Sequence, residues 1–287
     1  TPFVDEASLA RGCLKALRSL DPGLSKYFER MYDLGLLDLT SRKGKAPGGY
    51  QDVLAEHRLP FIFMNAAGRD QDMRTLLHES GHSAHTFLMN EAGLPNYNSN
   101  GNLPLEFAEV ASTSMELLGG YHIEGAFYSR DDARRSNREA LADIAKLFTW
   151  VATIDSFQHW VYTHPAHSRE ERAKAWAETF RRFSGLEDYG DHEDALRFRW
   201  QRQQHLFGAP FYYIEYGIAL VGALGVWLRY KEDRGSALNG YKQALSLGAT
   251  KPLPELFAAA GLEWDFGPRS LGRLARELRS AVKEYSE

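Results

Sequence analysis

The chain has 287 residues, 44% of them hydrophobic and 25% charged, with a formal net charge of −4. That size and balance suit a globular protein of one large domain or two closely packed ones, and the mild negative charge excludes the basic footprint of a nucleic-acid binder. The longest apolar stretch, residues 218–228, falls well short of the roughly 20 residues that span a bilayer, and no signal peptide is visible, so the expected location is cytoplasmic.

Helical periodicity dominates, most strongly over residues 6–19, 24–34, 138–160, 169–184, 191–205, 217–230 and 271–285. Cys13, within the first of these, is the only cysteine, so neither an internal disulfide nor a cysteine-held metal is available. Residues 43–50 contain two glycines before an aromatic but lack the GxxxxGK[ST] pattern, and they read as a connection. The good strand evidence lies between Gly49 and Asn65, where two short runs can form a small antiparallel ribbon. The second run, residues 59–65, is apolar with aromatic and β-branched members, and a turn at residues 66–69 follows. Asp70 and Asp72 then cap and charge the start of a helix that carries Met73, Leu76, Leu77, Ala84, Phe87 and Leu88 and closes at Gly93 and Pro95.

Inside that helix stands His78-Glu79-Ser80-Gly81-His82, an HExxH run. At about 100° of rotation per residue, histidines four apart leave the same helical face and can grip one metal ion, while Glu79 is placed to accept a proton from a water on that metal. Five-residue patterns also recur by chance on solvated helices, so the context matters. A strand, a turn and then a metal helix is the layout of a zinc peptidase. A catalytic zinc usually takes three protein ligands plus water, so a third must come from elsewhere. His85 points further around the helix and reads as a packed residue or one that supports the ligands from behind. The HExxHxxGxxH pattern fails, because position 85 is His and position 88 is Leu.

A second helix, residues 104–118, is bracketed by residues 100–102 and by Gly119-Gly120. Glu106, Glu109, Thr113 and Glu116 share one face of it, opposite an apolar stripe of Phe107, Ala111, Met115 and Leu118. A row of carboxylates can be an ordinary solvated face. This helix is otherwise poor in charge, however, and buried carboxylates need partners or a metal. Glu106 and Glu116 are separated by about 15 Å of helix rise and cannot share one ion. Helical geometry alone does not choose between Glu106 and Glu109.

Further on, His205 is followed by Tyr212, Tyr213 and Tyr216 in a segment entered through Pro210. Phenol hydroxyls and an imidazole are donors suited to an oxyanion, although an aromatic core cluster is the plain structural alternative.

Three segments together resemble the oligoendopeptidase F and thimet oligopeptidase group of zinc metallopeptidases, the M3 family: residues 60–65, the run from His78 to His85, and residues 107–116, where a Glu is followed seven residues later by another Glu. The resemblance implies a mainly α-helical zincin-type metallopeptidase domain over residues 1–287, with a small antiparallel sheet beside the HExxH helix. It makes Glu109 the third ligand, beside His78 and His82, to one Zn²⁺ per chain. It assigns Glu79 as general base and His205, with Tyr212 and Tyr216, as oxyanion donors. No further cofactor site is implied. Family members are about twice this length, in keeping with the division of chains beyond about 250 residues into lobes. The resemblance therefore covers only the family's catalytic C-terminal half, and the chain reads as a fragment, a cleaved product or a compact relative. Its last segment, residues 248–257 and the final helix, resembles the family's C-terminus and reads as complete.

The expected function is zinc-dependent endopeptidase cleavage of short unfolded oligopeptides, with a Glu79-activated, zinc-bound water as nucleophile. A zinc carboxypeptidase or dipeptidyl carboxypeptidase of similar helical fold is the alternative, and a degenerate binding module is opposed by the intact Glu79. An oligopeptide is the expected partner, with no nucleic acid and no membrane. Oligomeric state is not encoded in any motif found.

Overall fold

The computed structural model describes residues 1–98, 102–184 and 187–286. Two helices open the chain, α1 (Glu6–Leu20) and α2 (Pro22–Asp33), followed by three strands, β1 (Leu37–Thr40), β2 (Tyr50–Leu54) and β3 (Leu59–Ala66). Next come α3 (Asp70–Glu91), α4 (Leu105–Gly120), α5 (Arg130–Thr163), α6 (Arg169–Ser184), α7 (Glu193–Phe198) and α8 (His205–Gly208). The chain ends with α9 (Ile214–Glu232), α10 (Arg234–Ser246), α11 (Leu253–Ala259) and α12 (Pro268–Glu284). The architecture is the mainly helical one expected, with a small sheet packed on the HExxH helix. Two compact units are present, one of Thr1–Glu139 with Ala219–Glu287 and one of Ala140–Ile218.

In the first unit the sheet has the order β1-β3-β2. The antiparallel ribbon expected between Gly49 and Asn65 is the pair β2 and β3, in which Tyr50 faces Phe63 and Leu54 faces Leu59. A strand not anticipated, β1, adds a parallel edge through Leu37 opposite Ile62, making the sheet mixed. Four residues of Leu-Asp-Leu-Thr carry too little alternation to stand out, and their pairing is supplied by β3. Pro60, Ile62, Met64 and Ala66 alternate into the interior, as a strand covered on one face requires. The Gly-rich connection is clamped by Lys45, whose ammonium donates to the Asp38 carboxylate at 3.0 Å and to the Thr40 carbonyl at 2.9 Å, and also reaches the Met64 carbonyl. One buried cation thus ties this loop to both β1 and β3.

The start of α3 is held from both directions. The Asp72 carboxylate accepts from the backbone N–H groups of Ala67 and Arg69, each at 2.8 Å, satisfying donors that a helix N-terminus leaves free. Asp70 accepts from Arg74, Tyr128 and Ser136, while Arg74, itself buried, also donates to Ser136 and Asn137. Helix α4 is buried along most of its length, as its low charge suggests, and it includes Gly119 and Gly120 rather than ending before them. Asn137 holds that end by donating to the Gly120 carbonyl at 2.9 Å. The flanking turn at Asn100-Gly101 lies outside the described residues.

Unit Ala140–Ile218 is built on Ile154, Phe157, Trp176, Phe180 and Leu196, against which Trp150, Trp200, Leu206 and Tyr213 pack. The single helix expected over residues 191–205 is here a 3-10 turn, the short α7, a second 3-10 turn and the start of α8. Tertiary contacts override its helical periodicity. Trp176 donates its indole N–H to the Leu196 carbonyl at 2.8 Å, and Trp200 packs between Phe157 and Phe207 with centroids 5.7 and 5.6 Å away. Both interactions fix the backbone where a straight helix would carry those groups elsewhere.

Helices α3 and α4 meet at Gly81. A Cβ placed there would lie 2.6 Å from the Ala111 carbonyl oxygen and 2.6 Å from the Ser112 Cα, both backbone atoms that cannot swing aside. Gly272 in α12 is the contrasting case, since its Cβ would meet only the tip of Arg276 at 3.5 Å. Gly81→Ala is therefore expected to destabilise the protein by about 1–3 kcal/mol, the overpacking cost exceeding the helix-propensity gain. Gly272→Ala should stabilise it by up to about 1 kcal/mol. Urea midpoints of the two variants test this, and a stabilised Gly81→Ala would refute the close contact.

Candidate active site

The unit that contains α3 and α4 brings together His78, His82 and Glu109. One ligand atom from each lies within 4.8 Å of the other two, and this is the one such group among the described residues. Nε2 of His78 is 3.3 Å from Oε2 of Glu109, and Nε2 of His82 is 3.9 Å from the same oxygen. The two imidazoles stand perpendicular, with centroids 5.1 Å apart. Two imidazole nitrogens and a carboxylate oxygen converging at a partly buried point match the donor set and number of a catalytic zinc site. The alternatives within α4 separate accordingly: Glu109 joins the histidines, Glu106 in the first turn does not, and Glu116 sits behind His78, its Oε2 3.7 Å from Nδ1.

Electrostatics distinguishes the members of this cluster. Burial opposes a charge on His78, but Glu109 and Glu116 overcome it and raise the imidazolium to about 10. Burial together with the nearby His78 charge pushes His82 down to about 4. Burial by itself would raise the Glu109 carboxyl, yet hydrogen bonding to His78, the two imidazoles and Ser112 hold it at about 2. In the metal-free chain a proton on His78 thus supplies the positive charge that a cation would bring. That is the fit expected of residues arranged for a metal.

Glu79 is only 6% exposed. Burial raises its carboxyl to about 7, the charge of Glu109 adds to this, and His78 and the Gln51 backbone N–H act against it. A carboxyl poised near neutrality beside a metal group can both take and return a proton. His85 is packed edge-on to Phe107, centroids 6.2 Å apart, and burial pushes its imidazole down to about 3. It lies outside the metal group, as its position three residues past His82 implies.

Two features of the site were not picked out from sequence. Ser112 donates to Glu109 Oε2 at 2.9 Å, one helical turn after the ligand candidate, and its only sequence signal is that spacing. A cavity of about 200 Å³ lies alongside, lined by Gln51, Asp52 and Val53 of β2 and by His82, His85 and Leu105 among others. Pairing with β3 alone leaves the other edge of β2 unpaired among the described residues.

His205, Tyr212 and Tyr216 come together in the other unit. The His205 ring lies 5.6 Å from Tyr212, 5.1 Å from Tyr213 and 6.1 Å from Tyr216, centroid to centroid. Phe211 takes φ +61°, a left-handed conformation that bulky residues rarely adopt. Its ring packs on His159 and Tyr162, which compensates for this.

The chain is 26% identical over 265 residues to an oligoendopeptidase F homolog of Borreliella burgdorferi, covering 87% of this chain and 43% of that protein. With oligopeptidase PepF of Bacillus subtilis it shares 22% identity over 254 residues, covering 87% of this chain and 37% of that one. The solved structure of PZ peptidase A with an inhibitor superposes with a TM-score of 0.87 at 30% identity, over 98% of this chain and 49% of that one. The chain thus spans less than half the length of each of these relatives. Residues 25–266 match the sequence profile of Peptidase family M3, and the chain belongs to that family.

Proposed function

We propose that this chain is the catalytic part of a zinc-dependent oligoendopeptidase, with residues 1–287 acting as one catalytic domain. The observation that carries the reading is the convergence of His78, His82 and Glu109 with the buried, near-neutral Glu79 beside them. His78, His82 and Glu109 would hold the zinc, and Glu116 would orient His78 from its far nitrogen, as carboxylates behind metal-bound histidines do. A zinc ion bound there supplies Lewis acidity, lowering the pKa of a water and polarising the scissile carbonyl.

The chain's own residues carry the remaining steps. Glu79 accepts the proton of the attacking water and returns it to the departing amine. His205, with Tyr212 or Tyr216, donates hydrogen bonds to the oxyanion. The edge of β2 that is unpaired among the described residues offers backbone carbonyl groups to an extended oligopeptide, so main-chain recognition needs no particular side chain at the cleaved bond.

The endopeptidase reading is tested on a peptide mixture whose members are amidated at the C-terminus. Internal cleavage by the wild-type chain is expected, with product masses that exclude removal of C-terminal residues one or two at a time. In Glu79→Gln turnover should vanish while about one zinc per chain is retained. Zinc lost together with activity would make Glu79 a ligand, and products that stop at the amide would favour a carboxypeptidase.

Among the carboxylates, Glu109→Ala should abolish zinc binding, Glu116→Ala should weaken it by about 10- to 100-fold, and Glu106→Ala should leave it nearly intact. Competition with a fluorescent chelator reads all three, and an empty site in Glu106→Ala would shift the ligand by one helical turn.

Zinc binding should also release a proton. At about pH 8, Glu109 and Glu79 are ionised and His82 is neutral, so the ligand proton to be displaced is the one on His78, and release should be at least about one per zinc, with any proton lost by a zinc-acidified water added to it. The His78 share should fall away as the pH rises past 10, where His78 is already neutral, so release should drop by about one proton per zinc. Calorimetry in buffers of different protonation heat measures it, and release near zero at about pH 8 would remove the charge assigned to His78.

A further inference from the structure

We propose that Gln203, itself oriented by the indole of Trp150, fixes His205 as the tautomer that carries its proton on Nε2. Its catalytic consequence rests on the reading of His205 as an oxyanion donor, but the tautomer follows from hydrogen bonds alone. Trp150 has a single polar atom, a donor, and Oε1 of Gln203 lies 3.2 Å from its Nε1. A glutamine amide accepts at one end and donates at the other. With the oxygen toward the indole, the NH₂ group is the end that faces Nδ1 of His205, at 2.6 Å. That group only donates, so Nδ1 must accept through its lone pair. A neutral imidazole then has its one proton on Nε2. Turning the amide over would set NH₂ against the indole N–H and require the proton on Nδ1 instead.

The orienting donor is itself fixed. Trp150 packs edge-on to Trp176 and Phe180, with centroids 6.0 and 6.5 Å away, and the Arg199 guanidinium lies 5.4 Å over its ring. Its N–H is shared with the Tyr213 hydroxyl, which leaves the direction of donation unchanged. Gln203 is placed by its own backbone N–H, which donates to the Trp200 carbonyl at 3.0 Å. The relay therefore runs from an aromatic core through one amide to His205. An Nε2–H is a donor that can meet a developing negative charge, whereas the other tautomer would present a lone pair to it. Gln203 and Trp150 are thus positioning residues, acting through His205.

The test uses the full chain labelled with nitrogen-15 at histidine, with the His205 signals assigned by their loss in His205→Asn. Long-range proton–nitrogen spectra of the wild type are expected to show Nε2 protonated and Nδ1 bare. Gln203→Glu offers Nδ1 an acceptor in place of a donor and should bring a proton onto Nδ1. A wild-type His205 protonated on Nδ1 overturns the proposal, as does a folded Gln203→Glu whose His205 signals do not move. If the Glu variant fails to fold, the wild-type spectrum still decides. Kinetics forms a separate arm: kcat of Gln203→Glu should fall by about 100-fold with KM little changed, as for the loss of an oxyanion donor. A tautomer that moves while kcat holds leaves the assignment standing and counts against His205 as the donor.

Discussion

The close approach of α3 and α4 at Gly81 is the constraint on which the metal group depends. Glycine in a helix interior sacrifices about 1 kcal/mol of propensity relative to alanine, and here that cost removes the Cβ that would strike the backbone of Ala111 and Ser112. With the helices in contact at that point, residues on their facing surfaces fall into register. Glu109 lies one turn before Ser112 on α4, and His78 and His82 flank Gly81 on α3, so the carboxylate reaches both imidazoles. Tyr241 of α10 reinforces the same place, its hydroxyl donating to the Ala111 carbonyl at 2.7 Å. The variable residues of the HExxH run are thus not interchangeable here: the fourth position is set by packing against the helix that brings the third ligand candidate.

Two carboxylates beside the histidines, Glu109 and Glu79, are driven in opposite directions by one environment. Both are poorly exposed, but Glu109, on α4, makes direct contact with the imidazoles and accepts from Ser112, while Glu79 leaves α3 on a different face from the two histidines. Hence Glu109 is held near 2 as a permanent anion and Glu79 is raised near 7. A ligand must stay ionised across the working range, whereas a base must change state within it. Separation of two neighbouring carboxyls by their surroundings is a general way to divide such roles. It arises here from the different partners the two side chains meet, with no difference in residue type.

What was legible in the sequence follows from how local each signal is. The metal helix announced itself because both histidines and Glu79 lie on one continuous turn of chain, and Asp70 and Asp72 marked its start. On α4 the periodicity correctly put three carboxylates on one face but could not say which would meet α3. That choice depends on the depth at which the two helices contact, which a single helix does not encode, and it was the family resemblance that pointed to Glu109. The strand β1 was invisible because four residues form a strand only once β3 supplies the partner. The segment 191–205 was misread for the opposite reason: its apolar spacing is helical, yet Trp176 and Trp200 bind its backbone and rings at fixed points and break the helix. Ser112 and Gln203 had no motif at all, since each acts by reaching a neighbour's side chain.

A difference in scaffolding follows from the demands on each group of residues. Metal ligand candidates sit on α3 and α4, long helices whose hydrogen bonds and buried faces hold side chains within the narrow distances a cation tolerates. Tyr212 and Tyr213 instead follow Phe211, at φ +61°, on non-helical backbone between α8 and α9. Tyr212 and Tyr213, adjacent in sequence, both set their rings against His205. On a regular helix adjacent residues diverge by about 100° and could not do so. The non-helical backbone of Tyr212 and Tyr213 therefore lets both rings meet one imidazole, where Tyr216 joins them from the first turn of α9, and the left-handed Phe211 at its entry is held by ring packing on His159 and Tyr162.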